Sequence, residues 1–182
     1  MEITKTIIEG VLLIKPRVYK DERGFFCETY SKKIYSDKGI KEEFVQDNYS
    51  HSRKGILRGL HYQLKNPQGK LVRVLNGSVL DVAVDIRKNS KTFGQYFSIK
   101  LDNISFYQLY MPPGIAHGFC VISDEVDFEY KCTEYYSPED QLGIAWNDPF
   151  LDIKWPTKNP SLSKKDKEHN CINEIDSENL PD

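Results

Sequence analysis

Between residues 10 and 135 the chain is a series of short apolar or alternating runs, each stopped by turn-forming residues, with few stretches that could make a long helix. The runs include "GVLLIKPRVY", "GFFCETY", "KLVRVLNGSVLDVAVDIR", "QYFSIKL", "FYQLYMPPG", "AHGFCVIS" and "VDFEYKC". Within "SVLDVAVDI", Leu80, Val82, Val84 and Ile86 fall on one face and Asp81, Ala83 and Asp85 on the other, which is the period of two of a strand. Many short strands at this spacing bury their apolar faces by stacking or closing sheets, so the chain is read as all-β, a sandwich or a barrel. "LNGS" is predicted as a hairpin turn, because Asn-Gly tolerates positive φ at both central positions. Helix signals are confined to 31–39 and 161–170, each opening on a serine able to cap it. The closing "NEIDSENLPD" is acidic and poor in apolar residues, so residues 171–182 are predicted to fray.

A chain of 182 residues fits a single domain, 1–182, able to bury roughly 70% of its unfolded surface. A formal charge of -2 gives no general attraction to nucleic acid or to an anionic membrane, so an anionic ligand needs a local cationic site. The opening "MEITKTIIEGVLLIKP" lacks the apolar run and cleavage site of a signal peptide, and no later run approaches a membrane span, so a cytosolic location is expected. Cys27, Cys120, Cys132 and Cys171 show no C-x-x-C pairing and are read as structural thiols.

"GILRGLHYQLKNPQGK", residues 55–70, sets one histidine, His61, in a strand-like segment nine positions before Lys70. By itself His61 could be a metal ligand, a hydrogen-bonded core residue or a base. The segment 55–77 and "PPGIAHGF" at 112–119 resemble the paired motifs of the cupin barrel. Metal-binding cupins carry His-x-His and then Glu in the first motif, and a further His in the second. Here His61 and His117 remain, Gln63 stands in place of the second His, and Lys70 falls where the Glu is expected. A cation there repels a divalent metal and two imidazoles make a poor closed site, so no metal is expected.

Taken in order, "DERGFFCETY", "FVQDNYS", "LRGLHYQ", "QGKLVRV", "DVAVDIRKNSKTFGQY", "PPGIAHGF", "YKCTEYYSPE" and "WNDP" followed by "WP" resemble the dTDP-4-dehydrorhamnose 3,5-epimerase family of sugar-nucleotide epimerases. The likeness runs from about residue 5 to 168. It implies a cupin-like jelly-roll (double-stranded β-helix) barrel with a few short helices, a dTDP-4-keto-6-deoxy sugar as substrate, no cofactor, and a homodimer. A 4-keto group acidifies the C–H bonds at C3 and C5, so inversion needs a base on one face, an acid on the other and a group that holds the enolate oxygen.

By this resemblance His61 is the base, its ordinary pKa near 6.5 suiting proton transfer at neutral pH. Asp166 matches the aspartate that hydrogen-bonds it, fixing its tautomer and stabilising the imidazolium. The same stretch, Ser163 to Asp166, also fits a helix cap, and both roles are compatible. Tyr130 shares a strand face with Phe128 and Cys132 and is the implied acid, with Tyr135 and Tyr136 as nearby competitors. Lys70 is the implied enolate stabiliser, by oxyanion-hole logic.

For substrate binding the resemblance implies His117, Arg23 and Arg58, the arginines suiting bidentate contact with a diphosphate. Phe26 is implied as a stacking platform for thymine, and Glu28, Gln46, Asp47 and Asn48 as hydrogen-bonding residues for the nucleotide. Lys165 is either a phosphate contact or a surface lysine. Gln141 stands where many relatives carry glutamate, and Glu129 replaces a more usual apolar neighbour of Tyr130. Both departures leave room for a shifted nucleotide or sugar preference. The competing readings are a single-centre epimerase, a non-catalytic sugar-nucleotide-binding cupin, and a metal-dependent cupin oxygenase.

Overall fold

A computed structural model describes residues 1–182. The strands are β1 (Glu2–Lys5), β2 (Leu12–Lys15), β3 (Val18–Asp21), β4 (Gly24–Cys27), β5 (Gln46–Arg53), β6 (Leu57–Gln63), β7 (Lys70–Asn76), β8 (Ser78–Asp85), β9 (Tyr96–Asp102), β10 (Gln108–Met111), β11 (Ile115–Val121), β12 (Glu125–Cys132) and β13 (Gln141–Gly143). Helix α1 (Lys32–Asp37) stands between β4 and β5. One sheet has the order β1-β2-β10-β7-β12-β5, the second β13-β6-β11-β8-β9, and β3 and β4 make a separate hairpin. All the pairings between these strands are antiparallel. The fold is an all-β, cupin-like jelly roll, as the sequence implied.

The core between the sheets takes Val72, Leu109 and Phe128 from the first sheet and Val79, Ala83, Leu101 and Phe119 from the second. Alternation along β12 explains how one strand serves both core and surface. Val126, Phe128 and Cys132 are buried, with Tyr130 packed partly against the core. On the opposite face Glu129 and Lys131 pair with charged residues of neighbouring strands. Arg73 Nε donates to Glu129 Oε2 at 2.6 Å, and Lys131 Nζ donates to Asp47 Oδ1 at 2.8 Å. Such cross-strand pairs favour this register modestly.

Three local expectations change. The "LNGS" segment is not a hairpin: β7 ends at Asn76 in the first sheet and β8 begins at Ser78 in the second. Gly77 alone takes positive φ (83°), and a Cβ there would lie 2.2 Å from the Glu125 carbonyl oxygen. Asn-Gly signals a backbone conformation, whereas pairing is decided by which faces are buried.

In β8 both faces are buried. Val82, Val84 and Ile86 pack with Leu151, Ile172 and Leu180, while Ala83 joins the core between the sheets and Asp81 and Asp85 are fully buried. Residues 171–182 therefore do not fray. They form short 3₁₀ turns at Ile172–Glu174 and Ser177–Asn179, and Tyr62 Oη donates to the Asn179 carbonyl at 2.8 Å. Their few apolar side chains suffice because β8 offers an apolar outer face for them to cover.

The 161–170 segment holds a single 3₁₀ turn, Lys165–Lys167, rather than an α-helix. Its first residue is used elsewhere: Ser161 bridges to Ile56, and its carbonyl accepts from Leu57 N at 3.0 Å. At 31–39 the helix forms, with Ser31 at the N-cap position but without a side-chain cap bond. All four cysteines are free thiols. No helix is long and apolar enough to cross a membrane.

Candidate active site

The two sheets diverge around a cavity of about 470 Å³, and both contribute to its wall. β6 and β11 of the second sheet bring His61, Arg58 and His117, while β5, β7 and β12 of the first bring Asn48, Lys70 and Tyr130. An adjoining lobe shares His61, Lys70, Tyr130, Tyr136 and Gln141 and adds Gln46, Gln63 and Gln68. His61 and His117 are directly paired across β6 and β11. That approach needs Gly59, whose φ is +117° and whose Cβ, if present, would fall 2.5 Å from the Gly118 Cα. The register shift between His117 and Phe119 lies at the same place.

His61 Nε2 is 2.5 Å from Asp166 Oδ1, although the residues are 105 positions apart. Asp166 is 4% exposed, and its backbone N–H donates to Ser163 Oγ at 3.1 Å. The capping and histidine-pairing roles therefore coexist on one residue. Burial by itself would raise the Asp166 pKa, but the His169 and His61 imidazoles beside it hold the carboxyl well below the usual carboxylate range. Burial lowers the pKa of His61 and outweighs the opposing pull of Asp166. The pair at neutral pH is thus a carboxylate accepting the Nε2–H of a neutral imidazole, with Nδ1 left as the basic nitrogen.

Lys70 opens β7 and is 8% exposed. Burial lowers its pKa, and the Cys132 thiol and the Asp81 carboxylate nearby oppose that shift. Tyr130 lies on the first sheet, across the cavity from the sheet that bears His61. Burial, helped by the Cys132 thiol, pushes its pKa up to about 12, so the phenol stays protonated. His117 Nε2 is 2.9 Å from Asp81 Oδ2, and its ring stacks on Phe128 with centroids 6.1 Å apart.

Of the other expected residues, Gln46, Gln141 and Lys165 also reach the cavity walls. Gln46 Nε2 donates to Asn48 Oδ1 at 2.9 Å, and Gln141 Oε1 accepts from Tyr136 Oη at 2.7 Å and from Lys165 Nζ at 3.3 Å. Arg58 Nε donates to Ser52 Oγ at 3.1 Å. Asp47 turns to the other strand face and pairs with Lys131, and Glu129 likewise faces away from the cavity. Arg23, Phe26 and Glu28 line neither lobe. They lie on or next to the β3–β4 hairpin, where Arg23 is bonded to Asp21 and Phe26 is 68% exposed.

Sequence reasoning missed Asp81, Gln63, Gln68 and His169. Asp81 had a signal, an acidic residue inside an otherwise apolar strand. His169 had one too, a histidine three residues after Asp166 and so within one turn of it.

A base held by a carboxylate on one sheet, with a phenol and a buried ammonium on the other, can take a proton from one face of a carbon acid. They can return one to the opposite face while the oxyanion is held. A jelly roll with such a site belongs to the class of acid–base isomerases. More particularly, the family model for dTDP-4-dehydrorhamnose 3,5-epimerase matches residues 5–174, and the chain belongs to that family.

The chain is 52% identical over 168 residues to the dTDP-4-dehydrorhamnose 3,5-epimerase of Shigella flexneri, covering 91% of this chain and 93% of that one. It is 48% identical over 166 residues to the enzyme of the same name from Methanothermobacter thermautotrophicus, covering 90% of each. Its fold superposes with a TM-score of 0.96 on the crystal structure of dTDP-6-deoxy-D-glucose-3,5-epimerase from Legionella pneumophila Philadelphia 1 in complex with dTDP-4-keto-L-rhamnose. That protein is 50% identical, and the match covers 99% of this chain and 97% of the other.

Proposed function

We propose that the chain epimerises dTDP-4-dehydro-6-deoxy-D-glucose at C3 and C5, giving dTDP-4-dehydro-β-L-rhamnose for dTDP-L-rhamnose synthesis. His61 Nδ1 removes the proton next to the 4-keto group, and the C–H electrons pass into the keto oxygen. The Lys70 ammonium donates to that oxygen as it becomes an enolate. Tyr130 gives its phenolic proton to the opposite face of the carbon, and solvent then restores the phenol and discharges the imidazolium. The cycle runs once at each centre. The observation that carries this reading is the pairing of His61 with Asp166 on one side of a cavity whose other side bears Tyr130.

Arg58, His117, Asn48, Gln46, Gln141 and Lys165 bind the nucleotide sugar in this reading, with the cations facing its diphosphate. Arg23, Phe26 and Glu28 serve a site only in a homodimer, which is supported by their exposed hairpin and by their absence from this chain's own cavity. Residues 1–182 act as one domain, since both sheets share one core. A cytosolic location belongs to the same reading, supported by four free thiols.

Incubation with the keto sugar in D₂O, followed by NMR, tests the proposal. Deuterium and inverted stereochemistry at both C3 and C5 are expected. A single inverted centre would assign a mono-epimerase instead, and tight binding without exchange would assign a binding protein.

A further inference from the structure

His169 takes no part in the proton transfers above, yet it is built into the same cluster. Asp166 Oδ1 is 2.5 Å from His61 Nε2 and 3.7 Å from His169 Nε2, and the three donor atoms all lie within 4.8 Å of one another. His169 Nε2 is buried and has no hydrogen-bond partner. Its imidazole occupies the space left by Gly143, where a Cβ would come within 2.3 Å of Nε2. A second cavity of about 390 Å³ reaches His169 between Gly143, Glu168 and Tyr62, and neither His61 nor Lys70 lines it. That cavity reaches His169 from a side that Lys70 does not line, with Lys165 and Glu168 both in its wall.

We propose that His61, Asp166 and His169 form a site for one divalent transition-metal ion of the zinc class, and that its occupancy reversibly switches off the base. Two imidazoles and one carboxylate with an open fourth position are a donor set such ions accept. Bonds of about 2.0–2.2 Å to each ligand need donor separations of roughly 3–3.5 Å, so on binding His61 and Asp166 move slightly apart from 2.5 Å while His169 draws in from 3.7 Å. The consequence for His61 follows from valence. The metal takes the Nε2 lone pair after the Nε2 proton is displaced, and a neutral imidazole ligated at Nε2 carries its proton on Nδ1. The nitrogen that would accept the substrate proton is then blocked. The inhibitory half of the proposal rests on the epimerase reading, but the site itself does not.

The test uses the full chain, stripped of metal and titrated with Zn²⁺ alone by calorimetry, with elemental analysis after dialysis. Co²⁺ serves as a spectroscopic probe of tetrahedral N/O ligation. One ion per chain is expected, with visible d–d absorption for Co²⁺. Loss of even an outer-shell partner weakens metal sites about 10–100-fold, so His169→Gln should weaken zinc binding at least about tenfold. Turnover of each variant is read as a ratio with and without Zn²⁺, and zinc should inhibit the wild-type chain but not His169→Gln. Absence of stoichiometric binding by the wild-type chain, or binding unchanged in His169→Gln, would overturn the site. A chain that bound zinc but turned over no keto sugar would keep the site and sink the epimerase reading.

Discussion

Asp166→Asn probes the most closely coupled contact of the site. The substitution keeps the size of the side chain and its cap partner, the bond from the Asp166 backbone N–H to Ser163 Oγ at 3.1 Å, but removes the charge facing His61. With charge centres about 4 Å apart and an effective dielectric constant of about 20, carboxylate and imidazolium attract by about 4 kcal/mol. If about half the proton has moved at the transition state, about 2 kcal/mol of that is realised there, or roughly 30-fold in rate. That is the floor. The amide can also turn its NH₂ toward Nε2, which forces the ring proton onto Nδ1 and removes the base. In a Ser-His-Asp triad the equivalent loss of tautomer reaches about 10⁴-fold. Asp166→Asn should therefore lower kcat/KM by between about 30-fold and about 10⁴-fold while leaving dTDP affinity unchanged. Deuterium incorporation at C3 and C5, followed by NMR, measures it. A variant within about threefold of wild type, well under the 30-fold floor, would refute the assignment of Asp166 as the partner of the base.

Tyr130→Phe removes the opposite-face acid and spares the base, so inversion should fall about 10²- to 10⁴-fold. Exchange with retention, by return of deuterium from His61, should persist and be visible as labelled but uninverted sugar. The pH profile of kcat/KM should be bell-shaped. Burial lowers the His61 pKa from its ordinary 6.5, so the neutral base survives to lower pH and the acid limb falls below that value. Burial likewise lowers Lys70 from 10.5, so its charge is lost, and the alkaline limb appears, below that value. An acid limb well above 6.5 would contradict the His61 environment described here. Deleting residues 171–182 removes Ile172 and Leu180 and exposes the apolar face of β8 they cover. At about 1.5–3 kcal/mol for each buried side chain, the melting temperature should drop by roughly 10 °C or more in a thermal scan.

The strands were legible because period-two alternation is a local property that survives in any sheet. Which strands pair was not, and the "LNGS" segment shows why. Asn76-Gly77 fixes a positive φ at one residue, but the chain spends it on leaving one sheet for another. The sense of the alternation in β8 was hidden for a related reason. Alternation puts Leu80, Val82, Val84 and Ile86 on one face without saying which side is inward; Val82, Val84 and Ile86 pack against the C-terminal segment, and the face with Asp81 turns toward His117. The polar face can point inward only because residues 148–180 cover the apolar one. A segment predicted to fray therefore covers the outer face of a strand in the active-site sheet.

The site was legible at the level of residue types. His61, Lys70, Tyr130 and Asp166 converge even though the partner of His61 lies 105 residues away, and no local rule brings them together. Where the reading placed Asp47 in the site it followed motif position alone. Strand alternation puts Asp47 and Asn48 on opposite faces, and only Asn48 reaches the cavity. The hairpin residues Arg23, Phe26 and Glu28 fail to reach it for a different reason. They project from β3 and β4, which pair only with each other, so nothing in this chain folds them back over its own cavity. A phenylalanine 68% exposed at such a position leaves its apolar ring in water.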